Sequence, residues 1–204
     1  MESGRLTAFS DGVMAIIITI MVLELRPPHE ATLEGLLTVA PIFLSYVLSF
    51  IYVAIYWNNH HHMLFTVARV NGAILWANMN LLFWLSLLPF TTAWMGETGA
   101  AKWPTVVYGA SLLGPALAYY VLQTIIIRAH GPDHVLKRAI GGDWKGRASP
   151  LFYLTGIGLA FVQPWMGLVL FVAVALIWLI PDGRIERALT EPTPSPRRGE
   201  VEQA

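Results

Sequence analysis

The sequence predicts an all-α integral membrane protein with six transmembrane helices, and three observations carry that reading. The first is composition: of 204 residues, 55% are hydrophobic and 13% charged, with a mean hydropathy of +0.56. An ordinary soluble domain carries roughly twice that charged share. The second is patterning: apolar runs fall at about 9–25, 36–57, 71–95, 103–127, 150–163 and 165–180. A span needs roughly 20 residues, so the first run is slightly short and the last two are clearly short. Residues 150–180 therefore read either as one long tilted helix or as two short ones hinged at Gln163-Pro164.

The third observation is charge placement. Six spans put Arg5, Arg69, Arg128, Lys137, Arg138, Lys145, Arg147, Arg184, Arg187, Arg197 and Arg198 on one side, with only Arg26 and Lys102 on the other. That 11-to-2 split assigns the richer side, with both termini, to the cytoplasm. Five spans would divide the charges 7 to 6 and leave no bias. The expected organisation is a six-helix transmembrane domain over residues 1–189 and a disordered cytoplasmic tail over 190–204, where Pro, Glu and Arg dominate. Net charge is formally zero, which gives nucleic acid no handle, and the absence of cysteine excludes disulfides and thiolate chemistry. The first apolar run lacks a small-residue cleavage site and reads as part of the mature protein.

The first helix opens on Arg5, Phe9, Ser10 and Asp11 and then carries almost nothing polar except Thr19. Ionisable groups at the mouth of a membrane helix are costly to desolvate, so they need partners or a task. On a 100° wheel, Gly12, Ile16, Thr19, Ile20 and Leu23 share one face, and Asp11 points about 140° away from Ile16. Such a stripe more often faces lipid or another helix, and periodicity alone does not identify a pore. At the outer end, Glu24 and Arg26 precede the helix-stopping Pro27-Pro28. A local ion pair is the simple reading there; in an oligomer, a ring of Glu24 would concentrate cations.

The second helix ends in Trp57, Asn58, Asn59 and three consecutive histidines, 60–62, and the third contains Asn80. These sets lie at the same membrane face as Asp11, which can accept from Arg5, from a histidine or from the Trp57 indole. A structural lock of Arg5, Phe9, Ser10, Asp11, Trp57, His60 and Asn80 is expected. A metal site is not expected: neighbouring side chains diverge by 100° on a helix, and no Glu or Cys completes a shell. The stretch 87–97 reads as a proline-kinked helix end with an interfacial tryptophan, and the connector 131–147 as a short interfacial helix with Trp144 near the headgroups. No hydrolase, zincin or phosphate-loop motif is present, and no enzyme or cofactor is expected. The span centres lack acids and bases, which argues against a pump.

Arg5-x-x-x-Phe9-Ser10-Asp11 at the head of the first span resembles the signature of the transmembrane protein 175 family of potassium channels. Trp57-x-x-His60-His61, Asn80-Leu-Leu-Phe and Leu88-Pro89-Phe90-Thr91-Thr92 are similar to that family too. The likeness covers about the first hundred residues; the last three spans add only hydropathy. It implies a homotetramer in the cell membrane, passing K⁺ and other monovalent cations through a central pore lined by the first helices. The family's mid-helix Thr, with apolar rings before and after it, falls on Thr19, Ile16 and Leu23, with Gly12, Ile20 and Glu24 as further pore-facing candidates. The competing readings are a secondary transporter and a non-conducting membrane scaffold on the same helices.

Overall fold

The computed structural model describes residues 3–131, 134–140 and 144–179, without the side chains of 138–140. The expected tail over 190–204 lies outside the described residues. Within them the chain is all helical: α1 (Ser3–Leu23), α2 (Leu33–Thr38), α3 (Ala40–Phe65), α4 (Gly72–Ser86), α5 (Leu88–Glu97), α6 (Lys102–His130), α7 (Val135–Ile140), α8 (Trp144–Val162) and α9 (Pro164–Leu179). Among the described residues, four stretches are long and apolar enough to cross a membrane: Ser3–Leu23, Ala40–Phe65, Gly72–Glu97 and Lys102–His130. The 16 residues of α9 are apolar but reach only about 24 Å at 1.5 Å per residue.

Local chemistry sets the helix ends. Asn71 caps α4, its Oδ1 accepting from the Ile74 amide at 2.9 Å, and Thr32 caps α2 in the same way through Gly35. α6 stops at Gly131, whose φ of +94° suits only glycine. α4 and α5 form one rod with a step at Leu87, because Pro89 cannot donate to the turn before it. The helix thus continues past the expected kink to Glu97. α1 begins at Ser3, two turns ahead of its apolar run, so the polar signature residues are helical themselves.

Residues 150–179 resolve into two helices broken only at Gln163. They fold back on each other as a hairpin: Trp178 Nε1 donates to Ser149 Oγ at 2.8 Å, and Lys145 Nζ reaches the Ile177 carbonyl at 3.1 Å. Apolar attraction between helices is weak in lipid, so close backbone approach and hydrogen bonds hold the bundle. Small residues supply the approach. A Cβ on Gly167 would stand 2.7 Å from the Gly156 carbonyl oxygen, and one on Gly109 or Gly156 would strike the Phe171 ring at 2.5 or 2.6 Å. Phe171, fully buried, is thereby wedged into a notch between α6 and α8.

α6 is the central rod and packs on α4, α5, α8 and α9, while α3 bridges α1, α5 and α9. Buried hydroxyls join them. Ser49 Oγ lies 2.6 Å from Thr92 Oγ1 and 2.9 Å from Tyr108 OH, and Tyr52 OH donates to the Phe171 carbonyl at 2.5 Å. At the end carrying the α3–α4 and α6–α7 turns, α7 buries Leu136 in the core, and His134 Nε2 donates to the Thr66 carbonyl at 3.0 Å. A short helix thus lies in the connector 131–147, but Trp144 opens α8 instead of belonging to it.

Gly167→Ala is expected to lower the thermal midpoint of the purified protein, at a cost of roughly 1–3 kcal/mol, since a backbone carbonyl must move. Gly158→Ala, with open space around its Cβ, is expected to leave it unchanged. Equal midpoints for the two variants in a thermal unfolding series would contradict the hairpin contact.

Candidate functional site

α1 is apolar nearly all round, yet its two sides have different fates. Leu6, Ser10, Met14, Ile17 and Met21 are buried against α3, α4 and α5. Phe9, Gly12, Ile16, Thr19, Ile20, Leu23 and Glu24 are exposed, with Ile16 59% and Leu23 74% accessible. A Cβ built on Gly12 meets nothing within 4 Å. The stripe that the helical wheel groups together is therefore a side of α1 that the other described residues leave largely uncovered.

Thr19 is the polar member of that face. Its hydroxyl donates to the Ala15 carbonyl one turn back, at 2.9 Å. With its proton committed, the oxygen turns only lone pairs outward. At the far end of α1, Ile20 and Glu24 line a cavity of about 520 Å³ with Ser86, Pro89, Phe90, Ala93, Trp94 and Glu97. Glu97 thus shares a space with Glu24. No pattern in the sequence links the two, because their meeting depends on α1 packing against α5.

The buried side is fixed by a chain of three polar side chains, all fully buried. Asn78 Nδ2 donates to Ser10 Oγ at 3.0 Å, and Ser10 Oγ in turn donates to the Leu6 carbonyl at 2.8 Å. The amide orientation this requires leaves Asn78 Oδ1 to accept from His60 Nε2 at 2.7 Å. His60 is thereby held as its Nε2–H tautomer, and its buried Nδ1 has no partner among the described residues. Closer to the surface, Trp57 Nε1 donates to Asp11 Oδ1 at 3.0 Å, one of the three donors the sequence leaves open for that carboxylate. His61 lies against that indole, ring centres 5.9 Å apart.

Two features of the expected lock differ. The asparagine that enters is Asn78, not Asn80. Asn78 shares the buried face of α4 with Ile74, Leu81 and Leu85, whereas Asn80 lies 200° around the helix and is exposed. Arg5 and Phe9 are exposed as well and stand outside the hydrogen-bonded chain. The 3.6-residue period would have singled out Asn78 had the inward face of α4 been known, but α4 is too uniformly apolar to declare it.

Asn78→Ala is expected to destabilise the fold by roughly 1–3 kcal/mol, because it strands the Ser10 and His60 groups away from water. Trp57→Phe removes a bond at an accessible edge and is expected to cost less than about 1 kcal/mol. Thermal unfolding of both variants checks the order; a larger loss for Trp57→Phe would reverse the assignment of the anchor.

Comparison with known proteins bears on the same region. Residues 5–89 match the family described as endosomal/lysosomal potassium channel TMEM175. A potassium channel of Chryseobacterium sp. (strain P1-3) is 52% identical over 191 residues, covering 94% of this chain and all of that relative. A potassium channel of Streptomyces collinus is 32% identical over 177 residues, covering 79% of this chain and 84% of its own length. The crystal structure of a lysosomal potassium-selective channel TMEM175 homolog from Chamaesiphon minutus superposes with a TM-score of 0.77 at 30% identity, covering 88% of this chain and 97% of that one. The family match spans α1, α3 and α4, the helices that carry the Ser10–Asn78–His60 chain, and the similarity to full-length relatives extends it across the fold: the chain belongs to the TMEM175 family.

Proposed function

We propose that this protein is a potassium-permeable channel of the cell membrane. In this reading six helices cross the bilayer, both termini are cytoplasmic, and four copies surround a central pore. Ile16, Thr19 and Leu23 form its constriction, with Gly12, Ile20 and Glu24 along the same wall. The observation that carries the reading is the uncovered face of α1, held outward by polar anchors on its opposite side. The potassium channels to which the chain is similar support the permeant ion.

Four copies of Ile16 and Leu23 would offer an ion no oxygen ligands. A cation then crosses with a reduced hydration shell, and the cost of dehydration discriminates between ions. Na⁺ holds its water more tightly than K⁺ and loses more, which favours K⁺ to a modest degree. Thr19 supplies the oxygen acceptor on this stretch, since its proton is bound to Ala15. The carboxylates of Glu24 and Glu97 at the wide outer end raise the local cation concentration.

Flux of K⁺ and Na⁺ through purified protein in liposomes tests this. K⁺ is expected to pass down its gradient without a coupling ion and faster than Na⁺. Ile16→Asn and Leu23→Ala are each expected to raise total flux and to narrow the K⁺/Na⁺ ratio, because a polar or smaller ring lowers the dehydration barrier. Saturating, ion-coupled flux would indicate a carrier, and no flux a scaffold. Unchanged conductance and selectivity in both variants would remove the pore assignment.

A further inference from the structure

α8 opens at the same end of the bundle as α3 closes, since Gly146 in its first turn and Asn59 near the end of α3 line one cavity. That turn carries Trp144, Lys145 and Arg147. Lys145 donates to the Ile177 carbonyl. Trp144 and Arg147 are exposed, and no hydrogen bond or ion pair engages either among the described residues.

The helix period joins these two side chains to the apolar surface below them. At 100° per residue, Trp144, Arg147, Leu151, Leu154 and Phe161 fall within one face about 100° wide. All five are exposed, Trp144 by 56% and Leu151 by 66%. The buried residues Ser149, Tyr153, Gly156 and Ala160 take the opposite face. α8 packs chiefly on α6 and α9, whereas α1 packs chiefly on α3, α4 and α5. With α1 at a central axis, as proposed above, the exposed face of α8 looks into lipid.

The order of groups down this face is that of a phospholipid. A guanidinium and an indole stand at the head, and Leu151 and Leu154 follow about 6 and 10 Å deeper. Over residues 131–147 the sequence sets Lys137, Arg138, Lys145 and Arg147 against Asp133 and Asp143, a net positive segment beside a membrane helix. Such segments attract anionic headgroups. A guanidinium presents paired N–H groups that match a phosphate, and an indole N–H one turn away reaches phosphate or ester oxygens. The positive end of the α8 dipole lies at the same level. A zwitterionic lipid brings its own ammonium into this field and gains less from it.

From this arrangement we infer that Trp144 and Arg147 form the headgroup half of a binding site for an anionic phospholipid, whose acyl chain lies along Leu151, Leu154 and Phe161. The site rests on the reading of α1 as the inward helix, because α8 then borders the bilayer.

The chain has no cysteine, so Leu151→Cys accepts a bimane label at one place within the stripe. The labelled full-length protein is reconstituted in phosphatidylcholine vesicles that hold an equal minor share of either brominated phosphatidylglycerol or brominated phosphatidylcholine. Bromine quenches at contact, so quenching reports which lipid lies against α8. Brominated phosphatidylglycerol is expected to quench at least about twice as strongly. Arg147→Gln is expected to bring the two lipids to equality, and Arg147→Lys to keep a preference. Arg128→Gln, which removes an exposed cation at the end of α6, is expected to leave the preference unchanged.

The inference is overturned if the two lipids quench equally with Arg147 in place, or if Arg147→Gln keeps the preference. Loss of the preference in Arg128→Gln as well would overturn it in favour of diffuse attraction to the whole basic surface. Absence of quenching by either lipid would overturn it by showing α8 covered by protein, a second copy included. Should Leu151→Cys fail to assemble, Leu154→Cys carries the same comparison. Flux plays no part in this readout: lost lipid preference with intact K⁺ flux refutes the lipid site alone, and absent flux with intact preference refutes the channel alone.

Discussion

Asn78 donates to Ser10 and accepts from His60 at a point where α1, α3 and α4 meet and no water reaches, and the placement of α1 follows from that contact. Apolar side chains do not locate one helix against another in lipid, since hydrocarbon tails are as good a partner as leucine. A fully buried hydroxyl, amide and imidazole have no such alternative. Each bonds to the next here, His60 through its Nε2, and the row is completed by Ser10 donating to its own helix at Leu6. The Asp11–Trp57 bond adds a second point on the same side of α1, nearer the surface.

That anchor needs a firm base, and the rest of the bundle supplies one. The wedge of Phe171 between Gly109 and Gly156 and the close pass of Gly167 over Gly156 bring α6, α8 and α9 together with little room to slide. Tyr52 then ties α3 to α9, and Ser49 ties it to α5 and α6. α3 thus presents two kinds of polar contact. Its first half is bonded to the frame through Ser49 and Tyr52, and its second half to α1 and α4 through Trp57 and His60. A strain on the frame reaches α1 along one continuous helix.

How much of this was legible in the sequence divides along physical lines. The long apolar helices were legible, because hydrophobic length is a direct demand of the bilayer; the four that are long and apolar enough to cross it, among the described residues, fall on the four longest apolar runs. The break at Gln163 was legible as an alternative, since Pro164 and two short runs allowed it, but only packing decides between a tilted rod and a hairpin. In the candidate site, Asp11's need of a donor was legible, because an exposed-end carboxylate must find one, but Trp57 was one of three donors the sequence allowed. Asn78 was not. A helix that is apolar all round has no preferred inward face in its sequence, so nothing distinguished it from Asn80 until α1 and α3 were in place. The cavity that Glu24 and Glu97 share was invisible for the same reason: it joins segments distant in the chain.

The division of α1 into a polar-anchored side and a free apolar side also fixes its rotation. Ile16, Ile17, Ile18 and Ile20 are chemically interchangeable, and turning α1 by one residue would swap them at small cost in lipid. The same turn would carry Ser10 away from Asn78 and leave buried groups unpaired, each costing about 1–3 kcal/mol. Two or three such groups outweigh any preference among isoleucines. The polar residues at the head of α1 therefore decide which isoleucine faces outward several turns away. They do so without touching it, because a helix transmits rotation rigidly along its axis. This accounts for a signature of Ser10 and Asp11 standing beside a stripe whose own chemistry is so plain: the stripe supplies the surface, and the signature supplies its orientation.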